Sequence, residues 1–296
     1  MNLVKPEVEI LKEKNPFKKI EKIGRVCYKS EDKITDDSAK KFVAGLIKSG
    51  HHAMIEHATF AFVTDETVAF DALACPFLHV TKNPVNKRLI VSGNLRAIRD
   101  SGVYALIKAV GLLYPELVEN VEAKSSHEGQ ATLVDFEILE DKTAEEIGAH
   151  RYTSIKFVTD RGVTHELVRH RLFSFAQEST RYVNYSKDKF GGGNIKFIEP
   201  ADFGSWSTDK KIVFTNLLIH AENAYNLMIY VGATPQEARA VLPNAVKTEI
   251  FVTGNDAEWQ HFFNLRSKGT TGAPHPDMKV VADKAFEIYK SLYRLE

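Results

Sequence analysis

The stretch TSIKFVTDRGVTHELVRHR, residues 153–171, contains a strand-like segment, a short helical segment and a run of basic residues. Residues 153–158 are mostly apolar or β-branched, which predicts a strand in the core. Gly162 begins the short helical pattern that follows. We therefore expect the basic triplet 169–171 to emerge at the end of a core element, where functional sites of mixed α and β proteins often lie.

Segments on both sides of this stretch alternate between helical and strand-like patterns. The clearest helix start is at Thr234, where an N-cap threonine precedes a proline at the first helical position and a glutamate at the third, which makes a capping box. Further strands are predicted at 8–11, 58–63 and 246–252, and helices at about 35–50, 105–117, 209–231, 255–266 and 278–292. Because the elements do not follow a strict strand–helix–strand rhythm, we predict an α+β fold: a single compact domain with a central, mostly antiparallel sheet flanked by helices, plus an inserted lobe.

Two regions fit this scheme less directly. Residues 64–150 mix helical stretches with acidic turns and are interpreted as an insertion or second lobe within a domain that spans residues 1–296. Residues from about 174 to 194 are rich in Ser, Tyr and Gly and are predicted to form a loop. The glycines at 191–193 would permit this loop to move.

The composition limits the classes of protein to consider. The chain has 296 residues, enough for a substantial core, and its 39 basic and 39 acidic residues give no excess charge for nucleic acid or an anionic membrane. No window approaches eighteen uninterrupted apolar residues, and the first residues do not form a signal-peptide pattern. Two cysteines without metal-ligand spacing are typical of a reducing compartment. We therefore expect a soluble cytoplasmic protein without a metal.

The basic triplet has two readings from its residues alone. A zinc site of the His-Glu-x-x-His type does not fit, because His165 and His170 are five positions apart, which separates them on a helix by about 140°. Arginine side chains close together offer paired donors to phosphate or carboxylate groups. The alternative is a solvated helix end whose cations interact with the helix dipole.

The spacing Arg169-His170-Arg171, seven residues, then Ser179 resembles the signature of the flavin-dependent thymidylate synthases. Three other segments resemble that family in the same order. They are Gly50-His51 with Glu56-His57 and the strand containing Phe60 and Phe62, then Glu237-Ala-Arg-Ala-Val-Leu-Pro243, then Asn255 with Asn264-Leu265-Arg266. Shorter members lack a counterpart of residues 64 to 150, which agrees with an insertion there.

The resemblance implies an activity and its cofactors. It implies conversion of dUMP to dTMP, with methylenetetrahydrofolate as carbon donor, reduced FAD as hydride donor and NADPH as reductant of the flavin. Members are homotetramers with active sites shared between subunits, and the apolar helix at 209–231 offers a surface for that assembly. No cysteine has a base at a fixed spacing, so the family's activation of C5 by electrostatic means fits this sequence better than a cysteine nucleophile.

The resemblance also assigns the site residue by residue. Arg266 would contact the uracil ring and favour its N3-deprotonated form, Ser179 would position the substrate, and His51 would lie beside the flavin ring. The catalytic residues implied are Arg266, Ser179 and His51. The flavin contacts implied are Ala53, Arg169, His170, Arg171, Gln177, Asn255 and His261. The substrate contacts implied are Glu166, Leu167, Val168, Arg169, Gln177, Glu178, Ser179, Thr180, Arg181, Arg239 and Arg266.

Several positions depart from the family pattern. Ala53 replaces a threonine, Ala257 an arginine, His261 an asparagine, and Ala176-Gln177 an Asn-Glu pair. Two other functions remain open from the residues alone. One is a nucleotide-binding protein that holds phosphate without catalysis, and the other is a zinc hydrolase that uses His51, His57 and His165.

Overall fold

The computed structural model describes residues 1–125, 127–187 and 192–295. Its strands are β1 (Asn2–Val4), β2 (Glu7–Ile10), β3 (Thr59–Thr64), β4 (Leu78–Lys82), β5 (Leu89–Asn94), β6 (Ala131–Val134), β7 (Tyr152–Asp160), β8 (Ser174–Gln177), β9 (Lys196–Ile198) and β10 (Lys247–Asn255). Its α-helices are α1 (Pro16–Tyr28), α2 (Ser38–Lys48), α3 (Glu66–Ala72), α4 (Leu95–Ser101), α5 (Tyr104–Leu113), α6 (Ala144–His150), α7 (Arg161–Leu167), α8 (Thr208–Tyr230), α9 (Pro235–Ala238), α10 (Asp256–Arg266) and α11 (Pro276–Tyr293). Residues 188–191, which belong to the predicted loop and include its first glycine, lie outside the described residues.

The central sheet has the strand order β2-β7-β10-β8, and each neighbouring pair is antiparallel. β7 and β10 pair along their full length, from Tyr152 opposite Asn255 to Asp160 opposite Lys247. Helices α7, α10 and α11 share a core with this sheet in which Phe157 is fully buried. Helix α1 shares another buried cluster with β8 and β10. The predicted α+β fold with an antiparallel central sheet is therefore confirmed.

A second antiparallel sheet has the order β4-β5-β3-β6. It packs with α2, α4 and α5 around buried residues such as Val43, Phe62 and Leu106. Three of its strands, β4, β5 and β6, lie within residues 64–150, where the insertion was predicted. The fourth strand, β3, lies almost entirely before that range. A buried hydrogen bond of 2.7 Å between His57 Nδ1, in the 3₁₀ turn just before β3, and Thr253 Oγ1 connects the start of this part of the chain to β10 of the central sheet.

Helix α8 is the longest α-helix of the described chain, and much of its apolar surface is uncovered. Leu218 and Tyr225 are fully buried, whereas Val213, Leu217 and Tyr230 are 71%, 57% and 87% exposed. The apolar residues predicted for this helix therefore divide between a core and an open surface. No helix of the described residues is both long enough and apolar enough to cross a membrane.

Two local predictions differ from the structure. Residues 174–177 were expected in a loop but form β8, which pairs with β10 from Ser174 opposite Thr253 to Gln177 opposite Ile250. Four residues of mixed polarity are too short to show strand periodicity, and the neighbouring strand provides their hydrogen bonds. Helix α9 has the predicted capping box at Thr234 but only four residues, followed by a 3₁₀ turn that ends before Pro243.

Candidate functional site

Helix α7 places the predicted basic triplet at the end of a core element, as expected. Asp160, the last residue of β7, caps the helix by accepting a hydrogen bond of 2.8 Å from Val163 N. After Leu167 the chain continues in turns, with His170 N donating to Leu167 O at 3.2 Å. Glu166 and His170 consequently lie beside the end of α10.

Arg266, at the end of α10, is held by two groups from the α7 segment. Its Nη1 donates to Glu166 Oε2 at 2.9 Å, and its Nε donates to His170 Nε2 at 3.2 Å. The ion pair is partly accessible, with the Arg266 and Glu166 side chains 22% and 28% exposed. The Nη2 group has no hydrogen-bond partner among the residues that the structure describes. Arg266 is thus fixed in direction and keeps donors available.

His170 is surrounded by aromatic side chains. Its ring centroid lies 5.2 Å from that of Phe262 and 6.1 Å from that of Phe173. Burial, which is the main cause, acts together with the charge of Arg266 and the nearby His261 to lower the pKa of His170 to about 4. The imidazole is therefore neutral at pH 7 and accepts a hydrogen bond from Arg266 without adding positive charge.

Glu178, which follows β8, is the centre of a buried polar network. Its side chain is 2% exposed and accepts from Tyr185 Oη at 3.1 Å and from Lys247 Nζ at 3.3 Å. Lys29 Nζ lies 3.6 Å away, and both lysines also bond Glu249. Because each charge in this network has a partner of opposite sign, the network can hold the neighbouring backbone without an uncompensated buried charge.

The segment before Ser179 is also anchored to α7. Gln177 Nε2 donates to Thr164 Oγ1 at 3.0 Å and to Thr248 Oγ1 at 3.3 Å. Arg161 Nη2 donates to the main-chain oxygen of Glu178 at 2.8 Å. The position of residues 177–178 is thus determined by the first turn of α7 and by β10.

Ser179 is positioned, but no basic side chain of the described residues hydrogen-bonds its hydroxyl. Its backbone N donates to Cys27 O at 2.9 Å, and its hydroxyl accepts from Arg181 N at 3.3 Å. The Arg181 side chain donates to Gln236 Oε1 at 2.9 Å. These contacts suit a residue that orients a substrate more than a nucleophile.

Arg239 lies at the opposite end of α7 from Arg266. Its Nη1 is 3.5 Å from Thr180 Oγ1. The pKa of Arg161, in the first turn of α7, is lowered mainly by burial. The charge of Arg239 lowers it as well, which shows that the two arginines are near each other. A helix of seven residues is about 10 Å long, so Arg239 and Arg266 are associated with the two ends of a span of about that length.

His51 lies beside the same loop as Ser179. Its Nδ1 is 3.0 Å from Tyr28 Oη, and the Tyr28 ring contacts the ring of Tyr182 at a centroid distance of 5.8 Å. His51 and the nearby Ala53 are both exposed. The structure therefore brings the Gly-His segment next to residues 179–182, although the two are far apart in sequence.

Asn255 is separate from these groups and is 2% exposed. It caps α10, with Oδ1 accepting from Glu258 N at 3.0 Å and Nδ2 lying 3.3 Å from Ala149 O. Burial raises the pKa of Glu258 to about 7. Both polar atoms of the Asn255 side chain are thus engaged within the chain, and a flavin contact would require them to be released.

The other predicted site residues lie at the surface or in the core. Leu167 is buried, whereas Val168, Arg169, Arg171 and His261 are exposed. Among residues 1–125, 127–187 and 192–295, no side chain forms a hydrogen bond or ion pair with the guanidinium of Arg169 or Arg171. These two cations are free to meet an anion.

Several residues of the site were not predicted from the sequence. Lys29, Arg161, Tyr185, Lys247 and Glu249 form the contacts that fix residues 177–178. A clue was present in β10, where the charged residues 247 and 249 point to the same face of a strand that continues with the apolar residues 250–252. Lys29 is 220 residues away from Glu249, and no local pattern indicates that contact.

The three histidines of the zinc alternative do not meet. His51 contacts Tyr28, His57 is buried against Thr253, and His165 is exposed on α7. Within the described part of the chain, no group of three or more His, Cys, Asp or Glu side chains is arranged to hold a metal ion.

Comparison with known proteins gives an extensive match to a family model. The model of the family described as "Thymidylate synthase complementing protein" matches residues 9–70 and 104–293. The flavin-dependent thymidylate synthase of Geobacter sulfurreducens is 37% identical over 106 residues, which are 36% of this chain and 43% of that protein. The enzyme of the same name from Corynebacterium efficiens is 35% identical over 129 residues, 41% of this chain and 50% of that protein. The matched part therefore spans about half the length of these relatives.

Among solved structures, a UMP/dUMP methylase, PolB from Streptomyces cacaoi bound with 5-Br dUMP, is similar to this chain. The alignment covers 99% of this chain and 93% of PolB, with 15% identity and a TM-score of 0.43, which is a weak similarity.

Residues 71–103, which the family model does not match, contain β4 and β5. They are fewer than the insertion predicted at 64–150, and the extent of that insertion stays a prediction. Since the family model covers the four motif segments in order and most of the chain, the chain belongs to the thymidylate synthase complementing protein family.

Proposed function

We propose that this protein is a flavin-dependent thymidylate synthase that converts dUMP to dTMP, with methylenetetrahydrofolate as carbon donor and NADPH as reductant. The observation that supports this most directly is the Arg266 guanidinium, oriented by Glu166 and by a neutral His170. When bound in its reduced form, FAD supplies the hydride that completes the methyl group.

Arg266 would activate the pyrimidine. A guanidinium stays protonated and offers paired donors, so it stabilises negative charge that develops on the uracil oxygens and N3. The resulting anionic ring is a stronger nucleophile at C5. Because His170 is neutral, it fixes the guanidinium without competing for the same anion.

The other substrate contacts would surround the nucleotide. Ser179, Thr180 and Arg181 form a loop held by the Glu178 network, and Arg239 lies beside that loop at Thr180. Arginines there suit the phosphate of dUMP, because a guanidinium can bind phosphate through two donors. The predicted contacts of Glu166, Leu167, Val168, Arg169 and Gln177 would complete the pocket.

The residues present fit a flavin in part. Arg169 and Arg171 are exposed and suit the diphosphate of FAD, and His51 with Ala53 provides an accessible edge near Ser179. His261 is also accessible beside His170. Asn255 fits least, because its side chain caps α10. We therefore place the diphosphate contacts on the two arginines and leave Asn255 a structural role unless the cap opens.

A homotetramer with shared active sites would explain the separation of Arg239 from Arg266. In one chain these arginines lie at opposite ends of α7, so each could serve a pocket completed by another subunit. The exposed apolar side chains of α8 offer a surface for such an assembly. We also propose a cytosolic location, which suits the two free thiols, Cys27 and Cys75.

The test is tritium release from [5-³H]dUMP in the presence of methylenetetrahydrofolate, NADPH and FAD. We expect release by the unaltered protein and a loss of about 1,000-fold in Arg266→Ala, since the donor acts on charge formed during the reaction. FAD should remain bound in that variant, measured by visible absorbance. Arg96→Ala, an exposed arginine paired with Glu56, is the matched control and should retain activity.

The alternative function gives a different result. A nucleotide-binding protein without catalysis would be colourless after purification, would bind dUMP and would release no tritium. Normal turnover by Arg266→Ala would contradict the role proposed for that side chain.

A further inference from the structure

A cleft of about 720 Å³ lies between the two sheets and away from the arginine residues of the candidate site. Thr153 and Ser154, near the start of β7, form part of its wall, whereas Asp160 at the other end of β7 caps α7. Ser154 and Asp160 are six positions apart along the strand, which is about 20 Å. The cleft is therefore distinct from the site proposed for dUMP.

Lys19, in the first turns of α1, is among the residues that line this cleft and is 9% exposed. Within residues 1–125, 127–187 and 192–295, its amine has neither a hydrogen-bond partner nor a carboxylate within ion-pair distance. Burial lowers the pKa of Lys19 to about 8, so most of the amine is still protonated at pH 7. A buried cation without a partner is unfavourable, which makes it an unusual feature of a folded chain.

Three acidic residues line the cleft, Glu13, Asp135 and Glu137, and none of them forms a hydrogen bond or ion pair with Lys19 within the described part of the chain. Glu13 pairs with Lys22 at 2.9 Å, and Asp135 pairs with Lys14 at 2.9 Å. The Lys14–Asp135 pair joins the chain after β2 to the chain after β6 at the border of the cleft. The charge of Lys19 therefore remains available to an anion from outside the chain.

The walls of the cleft are largely aromatic and aliphatic. Phe60, Tyr114, Phe136 and Tyr152 line it, and its volume is within the range of small-molecule sites. Flat apolar walls suit a planar, apolar ligand. The positive end of the α1 dipole lies near Lys19 and also favours a negative group there.

We propose that this cleft binds a small organic anion with a flat apolar body, with Lys19 as the counter-ion. Two walls come from opposite sides of the cleft, one from β7 and the other from β3, β6 and Tyr114, so the site depends on the packing of the second sheet against the first. This proposal does not depend on the thymidylate synthase activity.

The probe for the test is 8-anilinonaphthalene-1-sulfonate, a fluorescent aromatic anion, compared with the neutral N-phenyl-1-naphthylamine. We expect Lys19→Met to weaken binding of the anionic probe by about tenfold or more, because a desolvated charge partner is lost. Binding of the neutral probe should stay within about twofold, since methionine preserves the apolar volume. Lys18→Met, on the exposed side of the same helix, is the matched control and should bind both probes as the unaltered protein does.

A second measurement separates the cleft from other apolar surfaces that bind such dyes. Acetylation of Lys19 by acetic anhydride, followed by mass spectrometry, should slow about fivefold or more when the anionic probe saturates the site, whereas acetylation of Lys18 should not change. Equal affinity of Lys19→Met and Lys18→Met for the anionic probe would overturn the proposal. A thermal unfolding midpoint for Lys19→Met below that of the unaltered protein would also overturn it, because it would show that the amine stabilises the fold in the absence of a ligand.

Discussion

His170 shows how burial changes the meaning of a sequence motif. The triplet 169–171 looks like three adjacent cationic positions, but the middle one packs against Phe262 and Phe173 and is neutral at pH 7. Its two arginine neighbours remain exposed. The motif thus contains two exposed arginines separated by an imidazole that accepts a hydrogen bond from Arg266.

The charge state of His170 can be measured directly. We expect its imidazole resonances to titrate near pH 4 in an NMR pH series. Arg266→Gln removes a cation that disfavours the protonated ring, so the pKa of His170 should rise while staying below its ordinary value because burial remains. Arg181→Gln, whose side chain bonds Gln236, is the control and should leave the titration unchanged. A His170 that titrates near 6.5 in the unaltered protein would contradict this account.

At the scale of elements, a helix start could be predicted where neighbouring residues in the sequence determine it. The start of α10 at Asn255 and the start of α9 at Thr234 follow from capping residues, and both capping boxes are present. β8 was missed because its stability comes from β10, about 75 residues later in the chain. The same reason applies to the candidate site: the motif around 169–181 was recognisable, but the lysines that hold Glu178 come from distant segments.

Gly254, near the end of β10, tests the packing that positions α10. A Cβ at this position would overlap the ring of Phe173 and approach Glu258 Oε2 to 2.5 Å. We expect Gly254→Ala to lower the free energy of unfolding by about 1–3 kcal/mol, as overpacking of a core does. Gly45→Ala, in α2 where a Cβ meets nothing within 4 Å, should raise it by about 0.5–1 kcal/mol. Urea unfolding of the two variants measures both, and an equal effect would refute the packing argument.

At the scale of the whole molecule, each sheet is held to a neighbouring segment by a buried neutral histidine. His57 bonds Thr253 in the central sheet, and His150 bonds Ser92 and Thr81 in the second sheet at 2.7 and 2.8 Å. Burial lowers the pKa of both His57 and His150 to about 3. Protonation of either ring is therefore coupled to unfolding.

This coupling predicts loss of stability in acid. Each of these histidines contributes fully above its unfolded pKa of about 6.5, and the contribution falls by about 1.4 kcal/mol per pH unit below it. Glu258, whose pKa is raised to about 7, acts in the opposite direction, because it stabilises the folded state as the pH falls from 7 to about 4.5. We expect a decline below pH 6.5 that becomes steeper below about 4.5.

Glu258→Gln isolates one part of that profile. It removes the opposing contribution, so the free energy of unfolding should fall more steeply between pH 6.5 and 4.5, by about 1.4 kcal/mol per pH unit. Urea unfolding at several pH values measures the slope. A slope identical to that of the unaltered protein would mean that Glu258 is ionised in the folded state.

The exposed surface of α8 belongs to the same scale, because it predicts assembly. Replacing Val213 and Leu217 together by Glu puts charge on an apolar surface, and we expect the sedimentation mass to fall from that of a tetramer toward smaller species. Leu112→Glu, on α5 where the side chain is 76% exposed, is the control and should keep the mass of the unaltered protein. An unaltered protein that sediments as a monomer would contradict the proposed assembly.

The order of strands along the chain also has a consequence for biosynthesis. All four strands of the second sheet have been made once residue 134 emerges, whereas β2 must wait for β7 and the central sheet is complete only with β10, which ends at residue 255. At typical translation rates, the roughly 120 residues between these points take on the order of ten seconds. In the first part of that interval β2 has no neighbour, and after β7 has emerged at residue 160 the partial sheet still has an unpaired edge until β10 arrives, so chaperone contact is most useful there.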